Sequence, residues 1–396
     1  MSSHPTPSAP EIRFSLQDPR AVILCAIGIG FLLLPIFADD YLIGVATRIL
    51  ILAIAAVSLD LILGYGGMVS FGHACFLGIG AYSVAIWSVQ GVDHVWLHLG
   101  TALVSSALIG LVIGALSIRT GGLYFIMITF AFAQMFFYLG LSFEFLGGDD
   151  GVSIKSSTIG GVELMKKMSA DSSAGPGTTL YFLTFAALVL ALIFIRILVN
   201  SRFGFVLRGC RSNEPRMQAI GFPTYRYRLA AFVIAAMICG FAGALLANQQ
   251  LFVSPSYMSW LRSGELLVMV VLGGLGTVFG PALGAVSLLV LEEFLIAYAG
   301  KDYWMIILGP ILVTVAVFAR QGLLSFIPSE WRAFPSFLAR ATLLSLLVIA
   351  YLWLFNYLPK NFGFSPLALV LWPLAILAAW IFFRRQRESV KGRSHD

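Results

Sequence analysis

The sequence predicts an all-α, polytopic transmembrane protein with roughly ten core spans and an appended pair of helices. Three observations lead there. Hydrophobic residues make up 59% of the 396 residues and charged residues only 11%, against about 25% charged in soluble domains. Mean hydropathy is +0.92. Apolar runs recur along nearly the whole chain, each close to the roughly 20 residues a helix needs to cross a bilayer. These runs are continuous and rich in Leu, Ala and Ile, which excludes the short alternating strands of a transmembrane barrel.

Residues 1–20 are polar and Pro/Ser-rich. The first span, 21–37, is followed by no small-residue cleavage site and reads as a retained anchor rather than a signal peptide. Further spans fall at 42–63, 67–89, 97–118, 123–146, 179–199 and 229–249. The stretch 265–297 is too long for one crossing and splits at Gly273-Gly274-Leu275-Gly276, and another span covers 304–318. The core therefore occupies 21–322. A polar connector, 323–340, leads to a hairpin in 341–383, built from the runs 341–358 and 367–383, and then to a basic tail, 384–396.

Orientation follows from the cations, which are retained on the cytoplasmic side. The connector 201–228 carries Arg202, Arg208, Arg211, Arg216, Arg226 and Arg228 against Glu214 alone. The connector 147–178 sets Lys155, Lys166 and Lys167 against Asp149, Asp150, Glu163 and Asp171, and belongs outside. Counting spans outward from the basic loop places Arg13, Arg20, Arg119, Arg320 and the arginines of the tail inside, and Asp39, Asp40 and Asp93 outside. Both termini are then cytoplasmic. The net charge of +6 is a matter of loop distribution and implies no nucleic-acid partner. Cys25, Cys75, Cys210 and Cys239 form no CxxC pair, so neither a disulfide framework nor a metal site is expected.

Two segments carry chemistry. In the first, Gly64, Gly66, Gly67 and Gly72 surround Ser70 and His73 at membrane depth. Glycine relaxes backbone limits and permits a broken helix, whose freed backbone groups must face protein or a wet cavity, as in many transport pathways. Gly66, Gly67, Ser70, Gly72 and His73, with Gly273, Gly274 and Gly276 in the second glycine break, are the candidate pathway residues. The plainer alternative is tight helix packing, with Ser70 and His73 hydrogen-bonded to a neighbour. No GxSxG elbow exists, because position 68 is Met, so nucleophilic catalysis by Ser70 is weakly supported and no catalytic residue is assigned. The charged residues Arg48, Asp60, Glu144, Glu292 and Glu293 also fall at membrane depth, where each is costly unless paired or near an interface. The two glycine stretches, each followed by Phe-Gly and then Ala, form a faint internal echo.

In the second segment, Pro215 suits a first helical position behind a cap at Asn213 or Glu214, while Gly221 and Pro223 provide a stop. The spacing predicts a helix of about two turns through Asn213, Glu214, Pro215, Arg216, Met217, Gln218, Ala219, Ile220 and Gly221. Met217 and Ile220 would share one face, offering an apolar plug to the groove of a partner protein. The alternative is a solvated basic loop.

At these segments the chain resembles the LivM-type permease subunits of bacterial ABC importers for branched-chain amino acids. The resemblance rests on Gly64-Tyr65-Gly66-Gly67 with Ser70 and Gly72-His73-Ala74, on Gly78-Ile79-Gly80-Ala81-Tyr82, and on Gly121-Gly122-Leu123-Tyr124-Phe125. It continues through Gly147-Gly148-Asp149-Asp150-Gly151, Ser201-Arg202-Phe203-Gly204 with Arg208, Asn213-Glu214 to Gly221, Phe252-Val253-Ser254-Pro255 and Val271-Leu272-Gly273-Gly274-Leu275-Gly276-Thr277. The motifs stand in family order over 20–322. Met68, Pro215 and the run 341–383 depart from the family pattern.

The resemblance implies a polytopic helical permease of the inner membrane, and makes 213–221 the helix that couples to the ATPase. No GxxxxGK[ST] loop is present: Gly300-Lys301 is followed by Asp302, and Leu295 stands at the first-glycine position. The chain is thus expected to bind no cofactor and to act as a transport subunit rather than an enzyme, with ATP and magnesium held by two ATP-binding cassette subunits. A paralogous permease, an external or periplasmic binding protein and the lipid bilayer are the other implied partners. Urea or amide import stays open within the family. Outside it stand a proton-coupled carrier using Asp60, His73 and Glu292, and an intramembrane enzyme using Ser70 and His73.

Overall fold

The computed structural model describes residues 19–159, 162–164, 178–299, 308–310 and 322–323. Most of the span at 304–318, the connector at 323–340, the hairpin at 341–383 and the tail lie outside the described residues. Of those described, residues up to Leu289 with Gly322 and Leu323 form one unit, while residues from Val290 onward, with 308–310, belong to a second.

The architecture is helical. In chain order come α1 (Pro19–Phe37), α2 (Asp40–Asp60), α3 (Ala74–Val89), α4 (Val95–Ser117) and α5 (Leu123–Ser142). They are followed by α6 (Thr178–Asn200), α7 (Arg202–Ala219), α8 (Thr224–Gln250), α9 (Trp260–Gly273) and α10 (Gly280–Ala299). Among the described residues, six helical stretches are long and apolar enough to cross a membrane. They are Asp40–Tyr65, Val95–Ser117, Leu123–Ser142, Thr178–Asn200, Thr224–Gln250 and Gly280–Ala297. Val22–Phe37 and Ala74–Val89 are shorter apolar helices.

The core of the first unit lies around α8, which packs against α2, α3 and α4. Every residue of α2 from Ile49 to Asp60 is buried, the signature of a helix that is apolar all round because protein surrounds it. Small residues set the spacing between α3 and α8. A methyl group added at Gly80 would strike the carbonyl oxygen of Gly240, and one at Gly243 would strike that of Leu77. Without water to drive association inside a bilayer, such close backbone approach supplies the packing contacts that hold helices together. Phe76 and Phe232 fill the adjoining space edge to face, with ring centroids 5.7 Å apart.

Several spans end differently from the sequence expectation. The span at 67–89 begins as a helix only at Ala74, because the chain from Gly66 to His73 is not helical. The span at 123–146 stops at Ser142, so Glu144 lies in a 3-10 turn, Glu144–Leu146, beyond α5. The stretch 265–297 divides at the glycines into α9 and α10, as its length requires.

The connector after α5 adds β-structure to an otherwise helical fold. β1 (Val152–Ser153) and β2 (Thr158–Ile159) pair antiparallel with β4 (Phe252–Val253) and β3 (Val162–Glu163), respectively. The connector is pinned to the helix ends by backbone groups. Ile154 N donates to the Leu251 carbonyl at 3.0 Å, and Thr158 N to that of Asp93 at 2.6 Å. His98 is buried beneath it. Its Nε2 lies 2.8 Å from the Val92 carbonyl and must donate there, so its Nδ1 accepts from the Ser157 hydroxyl at 2.6 Å.

Candidate functional site

The first helix break follows directly from α2. After Asp60 the helix widens into a π turn, Leu61–Tyr65. Met68 N then reaches back to the Ile62 carbonyl at 2.8 Å, and Gly67 takes a φ of +68°, a region that disfavours residues with a side chain. The chain turns and climbs beside α2 again. His73 is buried there, with Nε2 2.9 Å from the Ser58 hydroxyl. Ser70 is also buried but bonds locally, accepting from Gly72 N at 3.3 Å.

α3 therefore starts in a polar knot between three helices. Its first amide, Ala74 N, donates to Ser263 Oγ of α9 at 3.1 Å, and the Cys239 thiol of α8 lies 3.5 Å from the His73 carbonyl. His73 Nδ1 is buried with no hydrogen-bond partner. The amide at the start of a helix lacks an internal acceptor, and Ser263 fills that role.

The second break, between α9 and α10, meets the first. Asp60 is buried, and its Oδ1 accepts from Gly276 N at 2.9 Å. Gly64 admits this contact, because a methyl group there would strike both Asp60 Oδ1 and Gly276 N. A buried carboxyl group is costly unless it is hydrogen-bonded, and here the Gly276 amide is its partner and a cation stands nearby. The cation is Arg211 of α7, whose Nη1 donates to the Gly64 carbonyl. A cation at the carbonyl-rich end of a helix is electrostatically favourable.

α7 is two helical pieces joined at Asn213, whose extended backbone (φ −159°, ψ 95°) breaks the hydrogen-bond ladder. Helix begins at Arg202 rather than only after Asn213, because Gly204, Val206, Leu207 and Cys210 recur at helical spacing and bury one face. Asn213 Oδ1 accepts from Arg216 N at 3.0 Å, the expected cap. With Asn213 as the cap, Pro215 stands at the second helical position rather than the first.

Met217 and Ile220 do not share an exposed face. Met217 is buried against Val206 and Cys210, whereas Ile220 is 64% exposed. The bend at Asn213 folds the second piece back, so Met217 fills the angle between the two pieces. Ile220 caps the end of α7 and Gly221, with φ +97°, reverses the chain. The second piece is also tied to α8. Glu214 Oε2 accepts from Arg228 Nη1 at 2.6 Å, its Oε1 accepts from the Thr224 hydroxyl at 3.2 Å, and Gln218 Nε2 donates to that hydroxyl at 3.1 Å. Burial pushes the Cys210 thiol above its ordinary value, and Glu214 adds to the shift while Arg228 opposes it.

The candidate pathway residues thus fall into two places. Gly66, Gly67, Gly273, Gly274 and Gly276 belong to the helix breaks near Asp60, while Ser70, Gly72 and His73 lie where the chain returns to α3. Sequence reasoning missed the roles of Ser58, Asp60, Arg211 and Ser263, whose partners are distant in the chain: Asp60 and Gly276 are 216 residues apart. Their only sequence signal was a polar residue inside, or a cation beside, an apolar run.

Residues 41–316 match the family described as the branched-chain amino acid transport system, permease component. The chain is 31% identical over 295 residues to the high-affinity branched-chain amino acid transport system permease protein LivM of Salmonella typhimurium (strain LT2), covering 71% of this chain and 69% of that protein. It is 30% identical over 305 residues to LivM of Escherichia coli (strain K12), covering 73% of this chain and 71% of that one. Similarity extends to LivH of Salmonella typhimurium, at 25% identity over 69% of this chain and 90% of the relative. No solved structure gives a significant match. With two helix breaks meeting at Asp60 and more than half its length matched, the chain belongs to the permease-component family of branched-chain amino acid transport systems.

Proposed function

We propose that this chain is the membrane permease subunit of an ATP-binding cassette importer for branched-chain or similar hydrophobic amino acids. It works beside a paralogous permease, with two ATPase subunits that hold ATP and magnesium, and with an external or periplasmic binding protein that delivers the solute. It lies in the inner membrane with both termini cytoplasmic, and comprises about ten core spans followed by the hairpin at 341–383.

The observation that carries this reading beyond family membership is the build of α7. A solvated loop needs only its arginines. This segment has a capped second piece, Asn213 to Ile220, clamped by Glu214 to Thr224 and Arg228 at the first turns of α8. A rigid body outside the spans, fixed to the helix around which the core packs, is suited to passing a partner's movement inward. In this reading ATP binding closes the ATPase pair and shifts the docked segment, and α8 carries the displacement to the polar knot at Ser58, His73 and Cys239. Contacts that differ between two arrangements make the two states alternate.

The test is co-purification from native membranes in mild detergent, followed by reconstitution and ATPase assay with leucine, isoleucine, valine, urea and short amides in turn. Recovery of P-loop subunits and a second permease, with hydrolysis stimulated by a branched-chain amino acid and its binding protein, is expected. Transport by the chain alone in a proton gradient would overturn the reading.

A further inference from the structure

The two helix breaks are fastened from outside the spans by Arg211, and nothing in the importer reading assigns that residue a part. In a regular helix the Gly64 carbonyl would accept from Met68 N, but Met68 N bonds to the Ile62 carbonyl instead. The guanidinium of Arg211 occupies the position so vacated. Asp60, one turn earlier, holds Gly276 N of the other break.

Missing side chains make room for this arrangement. A methyl group at Gly67 would lie 2.9 Å from Arg211 Cγ, and one at Gly276 would lie 3.4 Å from Arg211 Nη1. One arginine therefore donates to the first break, lies near Gly276 of the second and stands beside the Asp60 carboxyl group that joins them. It is also two residues from the bend at Asn213, on the piece of α7 whose Cys210 packs against Met217 of the other piece.

We infer that Arg211 is a positioning residue that latches the crossing of the two broken helices to α7, so that displacement of α7 loosens the crossing and exposes the chain beneath it. The inference rests on the importer reading only for what moves α7; the latch itself is a property of this chain. Met68 is the reporter, since it lies in the first break and is 1% exposed.

The experiment uses the full chain in liposomes, carrying Met68→Cys and treated with a membrane-impermeant maleimide, with labelled sites identified by mass spectrometry. With Arg211 present, labelling at position 68 is slow. Arg211→Met is expected to raise its rate about tenfold, because protection falls with the free energy of local opening. Arg211→Lys falls between, since an ammonium keeps the charge but loses the forked donors. The buried Cys75 and Cys239 act as fold sensors and stay unlabelled. Should Arg211→Met label them too, Arg211→Lys decides: faster labelling at position 68 alone supports the latch, and an unchanged rate overturns it. Equal rates in all three proteins also overturn it.

A second readout uses the assembled transporter. Arg211→Met should lower solute moved per ATP hydrolysed while leaving the KM for solute unchanged, a split that simple loss of folded protein does not produce. The labelling arm needs neither ATPase nor solute. Its failure therefore counts against the latch alone, and absence of ATPase partners counts against the importer reading alone.

Discussion

Glu214 and Arg228 form an ion pair of 2.6 Å between the second piece of α7 and α8, with side chains 33% and 14% exposed. The pair is only partly screened by water, and Thr224 holds the second carboxylate oxygen in place. Arg228→Met should therefore lower stability by about 1–2 kcal/mol, and Glu214→Gln by less, because the amide oxygen can still accept from Thr224. A double-mutant cycle read by thermal unfolding in detergent checks this. A coupling energy indistinguishable from zero would mean that α7 is not clamped to α8 through this pair.

Met217 and Ile220 separate two effects that their spacing would have merged. Met217→Ala empties the angle between the pieces of α7, beside Val206 and Cys210, and should cost about 2 kcal/mol or more in stability. Ile220→Asp changes a residue that is 64% exposed and should alter stability by no more than about 0.5 kcal/mol. In the importer reading Ile220→Asp nevertheless weakens capture of the ATPase subunits. Co-purification yields set beside unfolding temperatures make the distinction, and full ATPase recovery with Ile220→Asp would remove Ile220 from the docking face.

Cys210 offers a pH test of the same angle. The thiolate is the reactive form, and burial and Glu214 both raise the pKa of this thiol, so less thiolate is present at any given pH than in a free peptide. Alkylation of Cys210 by iodoacetamide should be slower than that of glutathione near pH 8 and should climb only at higher pH. Met217→Ala, by opening the angle, should shift the profile toward the free thiol. A profile matching glutathione in the unaltered protein would contradict the burial of Cys210.

Much of the fold was legible because its signals are local. Composition and run length located α2, α4, α5, α6 and α8, and the glycines at 273–276 correctly divided α9 from α10. The short second piece of α7 was also legible, since a cap, a proline and a glycine stop act over a few residues. What stayed hidden depends on contacts across the chain. The burial of Met217 follows from a bend at Asn213 that periodicity cannot show, and Asp60 finds Gly276 only after α9 and α10 have folded back on α2. The extent of the non-helical segment from Gly66 to His73 was equally unreadable, because Met68, Val69 and Phe71 are as apolar as the helix that follows.

Ser58 and His73 test whether the return from the first break is held by its hydrogen bond or only by packing. His73 is fully buried, Ser58 Oγ is the partner of its Nε2, and Nδ1 has none. Ser58→Ala would take the hydroxyl partner from His73 Nε2, at a cost of about 1–3 kcal/mol. Ser58→Cys keeps a weak donor and acceptor and should cost less. His73→Phe removes both ring nitrogens while retaining a flat side chain near Phe76, now 5.7 Å away edge to face, so its stability should fall less than that of Ser58→Ala if the unsatisfied imidazole is the main cost. Thermal unfolding of the three variants in one detergent gives the order. If His73→Phe is the least stable, packing room rather than hydrogen bonding governs this position, and Ser58 contributes little to the start of α3.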